Sequence, residues 1–287
     1  GYESGYLQNN NFRNRMYNFE LLALYNNSWG DFDFNATLGG NLYKVNNQTI
    51  VTTAKDMKIR DVVALMSFNE VSVEPYSYRK QINSVYGAVN LGWKHMLYFD
   101  ATLRGDQSST LPISNNMYIY PSFSGSFVFS ELLKLGDKLP YGKVRMSWAQ
   151  VGSDTDPYQL GLVYTKSKFA YPGYTIGYIS NGTIPNKDLK PTKTNSFEMG
   201  LELKFLKNRI GLDFTYYSQL SKNQIMGMAS SSTSGYGYRL INAGEIENKG
   251  VEIALNTRPI QTKDFSWDLN FNFSKNSNKV KKLVDDM

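Results

Sequence analysis

Few residues in this 287-residue chain have the chemistry for catalysis, and their spacing does not support it. Cysteine is absent and histidine occurs once, at His95. That removes disulfides, thiolate metal sites and most imidazole acid–base chemistry. General acid–base catalysis needs titratable groups converging on one point, whereas His95 stands alone in the short turn of GWKHMLY. Asp154 and Asp156 in SDTDP offer oxygens of the kind calcium takes, but no further carboxylates and glycine follow at loop spacing. Aspartates ahead of Pro157 read better as turn formers. There is no GxxxxGK[ST] phosphate loop, and GYGYR at 235–239 opens no helix. The triplet Arg104, Gly105, Asp106 matches an adhesion motif, but three residues mean something only in a protruding loop. The chain reads as a non-enzyme with no cofactor and no bound metal.

The remaining candidates are contact residues. Aromatics make up 14% of the chain, and many tyrosines fall in two long segments rich in Gly, Pro and Ser. Residues 152–193 hold Tyr158, Tyr164, Tyr171, Tyr174 and Tyr178, and residues 221–247 hold Tyr236, Tyr238 and Arg239. Rings with one polar handle suit sugars, peptides or a protein partner, and equally suit loops that pack on each other. The net charge of +6 is spread along the sequence and interleaved with carboxylates, which argues against nucleic acid.

The elements that must carry these residues are strands. Period-two alternation recurs in segments of roughly ten residues, as where Phe32, Phe34, Ala36 and Leu38 alternate with Asp33, Asn35 and Thr37. Ten strands are expected, at 15–26, 31–44, 81–92, 96–107, 117–129, 141–151, 194–205, 209–220, 248–258 and 265–275. Charges fall on the polar phase, among them Glu20, Asp100, Arg104, Lys143, Arg145, Asp213 and Glu252. Only Lys249 and Lys275, at strand ends, share the oily phase.

Short connections alternate with long ones at 45–80, 108–116, 152–193 and 221–247. Antiparallel strands crossing a bilayer produce that alternation, with turns on the periplasmic side and loops outside. A soluble β-sandwich also alternates, but it has a dry core to fill and no reason to keep its long loops at one end. The expected fold is therefore all-β, an antiparallel transmembrane β-barrel segment with its oily phase on lipid. Trp29, Trp93 and Trp267 near short turns suit a membrane interface. Arg104, Asp106, Lys143, Arg145, Glu198 and Glu202 would face the lumen, as contacts for substrate or for a plug. The first and last strands both open toward the long-loop side, so residues 1–287 are expected to be part of a larger barrel.

Several long blocks carry a family resemblance: the run from Gly92 to Leu132, YGKVRMSWAQVGSDTDPY at 141–158, NKDLKPTKTNSFEMG at 186–200, NRIGLDFTYY at 208–217 and INAGEIENKGVEIALN at 241–256. In these the chain resembles the central barrel of SusC/RagA-type TonB-dependent outer-membrane transporters of Bacteroidetes. Residues 45–70 match least, and Gly105 and Gln107 stand where relatives often carry Asn and an aromatic. The resemblance implies a 22-stranded barrel with a plug, importing oligosaccharides or peptides with a SusD-like surface lipoprotein. It also implies energy from the TonB complex acting through the plug, with lipid and lipopolysaccharide around the wall. No TonB box, plug or aromatic-ended final strand is present among these residues, so the chain is expected to be a partial barrel domain.

Overall fold

The computed structural model describes residues 5–59, 62–134, 136–166, 174, 176–179 and 182–283. Its strands are β1 (Tyr6–Trp29), β2 (Phe32–Met57), β3 (Phe68–Trp93), β4 (Leu97–Ser108), β5 (Met117–Val128), β6 (Tyr141–Ser153), β7 (Tyr164–Lys166), β8 (Gly177–Ile179), β9 (Thr183–Ile184), β10 (Thr192–Phe205), β11 (Ile210–Ala229), β12 (Tyr238–Gln261) and β13 (Ser266–Lys282). The short helix α1 (Phe129–Leu133) follows β5. Ten long strands pair in the order β1-β2-β3-β4-β5-β6-β10-β11-β12-β13, each antiparallel to the next. β7 and β8 form a separate hairpin in the long loop, and β9 runs parallel to the start of β12.

Paired residues in an antiparallel ladder share a face, so the register separates the two surfaces directly. One rung crosses all ten strands through Trp29, Phe32, Trp93, Leu97, Phe127, Val144, Leu201, Phe214, Ile253 and Phe273, apolar at every position. The adjacent rung runs through Ser28, Asp33, Gly92, Tyr98, Ser126, Arg145, Gly200, Thr215, Glu252 and Ser274, polar or glycine at nearly every position. The apolar face is not covered by a second sheet: Leu103 is 55% exposed and Phe271 60%. A sandwich would bury these side chains, whereas a wall in lipid presents them outward.

The ends of the wall differ as the alternation of connections requires. At the short end, Lys94 and His95 both take positive φ in a two-residue turn closed by Met96 N–H to the Trp93 carbonyl at 2.9 Å. That turn geometry matches the twist of the strands it joins. At the other end the structure corrects two expected loops. Pairing of β2 with β3 continues from Phe32–Trp93 up to Met57–Phe68, through most of 45–80, and β11 pairs with β12 through much of 221–247. Residues such as NNQTIVTT at 46–53 carry no oily phase. Beyond the bilayer a strand has water on both faces and needs none, so periodicity marks only the embedded part.

Candidate functional site

Two charge networks lie on the polar face. In the first, Arg104 on β4 donates from Nε to Asp106 Oδ1 and from Nη2 to Ser84 Oγ on β3, each at 2.9 Å. The Tyr120 hydroxyl on β5 donates to the other oxygen of Asp106. The guanidinium also sits 5.3 Å from the Tyr86 ring centroid, within cation–π range. Tyr86 in turn lies flat over Gly39 and donates its hydroxyl to Glu20 on β1. A Cβ at Gly39 would come within 2.3 Å of that ring, so glycine on β2 is what lets a β3 side chain reach β1. Arg104 and Asp106 therefore belong to the wall, and no protruding loop presents the triplet. Gly105 points to the opposite face, toward Ile119.

The second network repeats the device. Arg145 on β6 crosses β10 above Gly200, where a Cβ would sit 2.4 Å from its Nε. It then pairs with both oxygens of Asp213 on β11, Nη1 to Oδ2 at 3.0 Å and Nη2 to Oδ1 at 2.8 Å, and with Thr215 Oγ1 at 2.6 Å. Two-point pairing of a planar guanidinium with a carboxylate fixes orientation as well as charge. Glu198 Oε1 lies 3.9 Å from Arg145 Nε. Lys143, Glu202 and Asp213 occupy one rung, and Glu202 is 3.7 Å from Lys204. All six expected lumen residues thus share one face, in two groups held apart by β5. Tyr86, Glu20 and Asp213 complete the networks. The readable signal for them was a glycine on the polar phase opposite a long polar side chain.

At the long-loop end a third network was hidden from sequence. Asp154 accepts from Lys80 Nζ at 2.6 Å, Ser108 Oγ at 2.5 Å and Thr110 Oγ1 at 3.2 Å. It is a buried tie between β3, the β4–β5 loop and the segment after β6, not a simple turn former. Beside it Leu111, Tyr118, Leu189 and Leu240 form a small apolar cluster that packs these loops together. No group of three or more metal-ligating side chains occurs among the described residues. His95 remains a turn residue with an 85% exposed side chain.

The loop aromatics divide. Tyr158 accepts the Arg79 backbone N–H at 3.2 Å, so it packs on the wall. Tyr164 and Tyr174 are 78% and 75% exposed. Tyr236 lies in the loop ahead of β12, whereas Tyr238 and Arg239 are its first strand residues and not loop residues as expected. Backbone pairing of Tyr238 with Ala229 and of Arg239 with Met228 carries the strand to that point. Tyr171 lies outside the described residues.

A family model for the TonB dependent receptor-like β-barrel matches residues 1–286. This chain belongs to that family. The TonB-dependent receptor P3 of Formosa agariphila is 29% identical over 277 residues, 93% of this chain and 27% of that protein. The TonB-dependent receptor SusC of Bacteroides thetaiotaomicron is 30% identical over 217 residues, 73% of this chain and 22% of that one. The structure of the RagAB peptide transporter superimposes with a TM-score of 0.88 at 22% identity, over 97% of this chain and 31% of its own. This receptor barrel chain therefore spans about a quarter of the length of the curated relatives it matches. Its place is the bacterial outer membrane, as the two-faced wall requires, and the relatives are receptors, not enzymes.

Proposed function

We propose that this receptor wall is part of a TonB-dependent active importer of oligosaccharides or peptides, working with a SusD-like lipoprotein on the extracellular side. The observation that carries the reading is the sidedness of the sheet. Charged and hydroxyl networks line one face, and a rung apolar on every strand lines the other. A polar inner wall gives cargo and plug something to hydrogen-bond, and an apolar outer wall holds the protein in lipid. Arg104, Asp106, Lys143, Arg145, Glu198 and Glu202 are its proposed inner contacts. Tyr158, Tyr164, Tyr171, Tyr174, Tyr236, Tyr238 and Arg239 are the proposed contacts for cargo or lipoprotein at the outer rim. The TonB complex would act through a plug, and residues 1–287 would be one part of the barrel domain.

The test is uptake by cells lacking the receptor gene and complemented with it, supplied with labelled oligosaccharides and peptides. Uptake that is restored and disappears on dissipating the proton gradient or deleting TonB supports the reading. A purified receptor that conducts as a steady open pore in planar bilayers, with uptake indifferent to TonB, would replace it with a passive porin. Co-purification of a surface lipoprotein from native membranes tests the partner separately.

A further inference from the structure

The outward face changes character abruptly on β1–β3. From the short end upward, rungs run from Trp29–Phe32–Trp93 to Phe19–Leu42–Asn83, a stretch of ten residues on β1. At about 3.3 Å per residue and a tilt near 40°, that is about 25 Å of height, the thickness of the apolar band of an outer-membrane barrel. The next three rungs are Tyr17–Lys44–Gln81, Arg15–Asn46–Arg79 and Arg13–Gln48–Ser77. Four cations, Arg13, Arg15, Lys44 and Arg79, thus stand on one outward patch directly above the lipid-facing surface. No carboxylate shares that face up to this level: Glu20, Asp33, Glu70 and Glu74 all fall on the opposite phase. Among the described residues no hydrogen bond or ion pair engages any of the four side chains.

The far side of the wall shows that cations at this height need not be left so. On β11–β13 the outward lysines are matched: Lys222 lies 3.0 Å from Glu245, and Lys249 and Lys281 lie 3.3 and 3.1 Å from Glu247. One cation cluster is neutralised within the chain and the other is not. Unmatched like charges repel one another, so a counter-charge from outside is the physical complement of the β1–β3 patch.

We infer that Arg13, Arg15, Lys44 and Arg79 form a binding site for the phosphorylated headgroup of a glycolipid in the outer leaflet. Guanidinium forks pair with phosphate at two points and lysine adds a compact charge. The acyl chains would lie down the apolar rungs below, past Phe19 and Leu42, with the Tyr17 ring at headgroup depth. A cluster set above an apolar band meets a ligand that is anionic above and apolar beneath, which favours a lipid over a soluble anion. The inference rests on outer-membrane placement and not on the import reading, so either can fail without the other.

The experiment uses the full receptor, delipidated in detergent, with binding followed by native mass spectrometry. The probes are phosphorylated lipid A, dephosphorylated lipid A, phosphatidylglycerol and inorganic phosphate. Phosphorylated lipid A is expected to bind at least about tenfold more tightly than the dephosphorylated form, since each cation near an anionic lipid surface contributes separately. R13Q/R15Q/K44Q/R79Q should lose that margin, while K222Q, on the matched cluster, should keep it. Equal binding of the two lipid A forms to the unaltered receptor would overturn the site without reliance on any variant. Equal binding of phosphatidylglycerol, or displacement by inorganic phosphate, would overturn the assignment to a glycolipid.

Discussion

At the scale of single residues, Asp154 concentrates more interactions than any residue singled out for chemistry. It holds one lysine and two hydroxyls from separate segments, with its side chain only 11% exposed. Asp154→Ala leaves Lys80 and two buried hydroxyls without their acceptor and should destabilise the loop end by about 3 kcal/mol. Accelerated proteolysis confined to 108–116 and 153–163 would register it. Glu247, above the bilayer on β12, gives a pH-dependent contact. Hydrogen bonds from Lys281 and Lys249 hold its carboxyl below the ordinary carboxylate range. A lowered folded pKa means the tie is fully present above the ordinary value near 4.5 and is lost as pH falls through the lower one. Protease cleavage at the β12–β13 tip should therefore rise below pH 4.5 in the parent and be already high, and flat with pH, in Glu247→Gln.

At the scale of elements, a strand here is defined by what each phase faces. Phe271 and Asn272 are neighbours in β13, yet Phe271 shares the outward phase with Leu255, and Asn272 shares the inward phase with Ala254. Lysine at 271 should cost roughly 2–4 kcal/mol, the penalty for a cation near the bilayer midplane, and lysine at 272 close to none. Refolding the full receptor into lipid vesicles and comparing denaturant midpoints reads the difference. If the two variants were equally stable, the assigned faces would be wrong. Glycines 39 and 200 act at this scale as well. Each opens one strand so that Tyr86 or Arg145 can bridge its two neighbours, tying three strands through one side chain.

At the scale of the molecule, the ten-stranded path leaves β1 and β13 each with one edge unpaired among the described residues. In a bilayer every unsatisfied backbone group costs several kcal/mol, so wall edges must meet further strands. The 287-residue chain refolded alone in detergent should self-associate through those edges, visible by light scattering. The full receptor should remain monodisperse. A monodisperse, protease-resistant form of the isolated chain would show instead that the sheet closes on itself.

Period-two alternation determined the ten embedded strands, and confining charge to one phase determined which face meets lipid, because the bilayer acts on every residue it touches. Long similar blocks placed the family. Sequence did not show that β2, β3, β11 and β12 run well beyond the membrane, since strands in water on both faces carry no oily phase. Nor did it show that Arg104 is bonded by its near neighbour Asp106, that Arg145 reaches Asp213 over a glycine, or that Asp154 gathers Lys80 and Ser108. Those contacts depend on register between strands as much as 74 residues apart in sequence. Cross-strand pairing sets that register, and only the tertiary structure decides it.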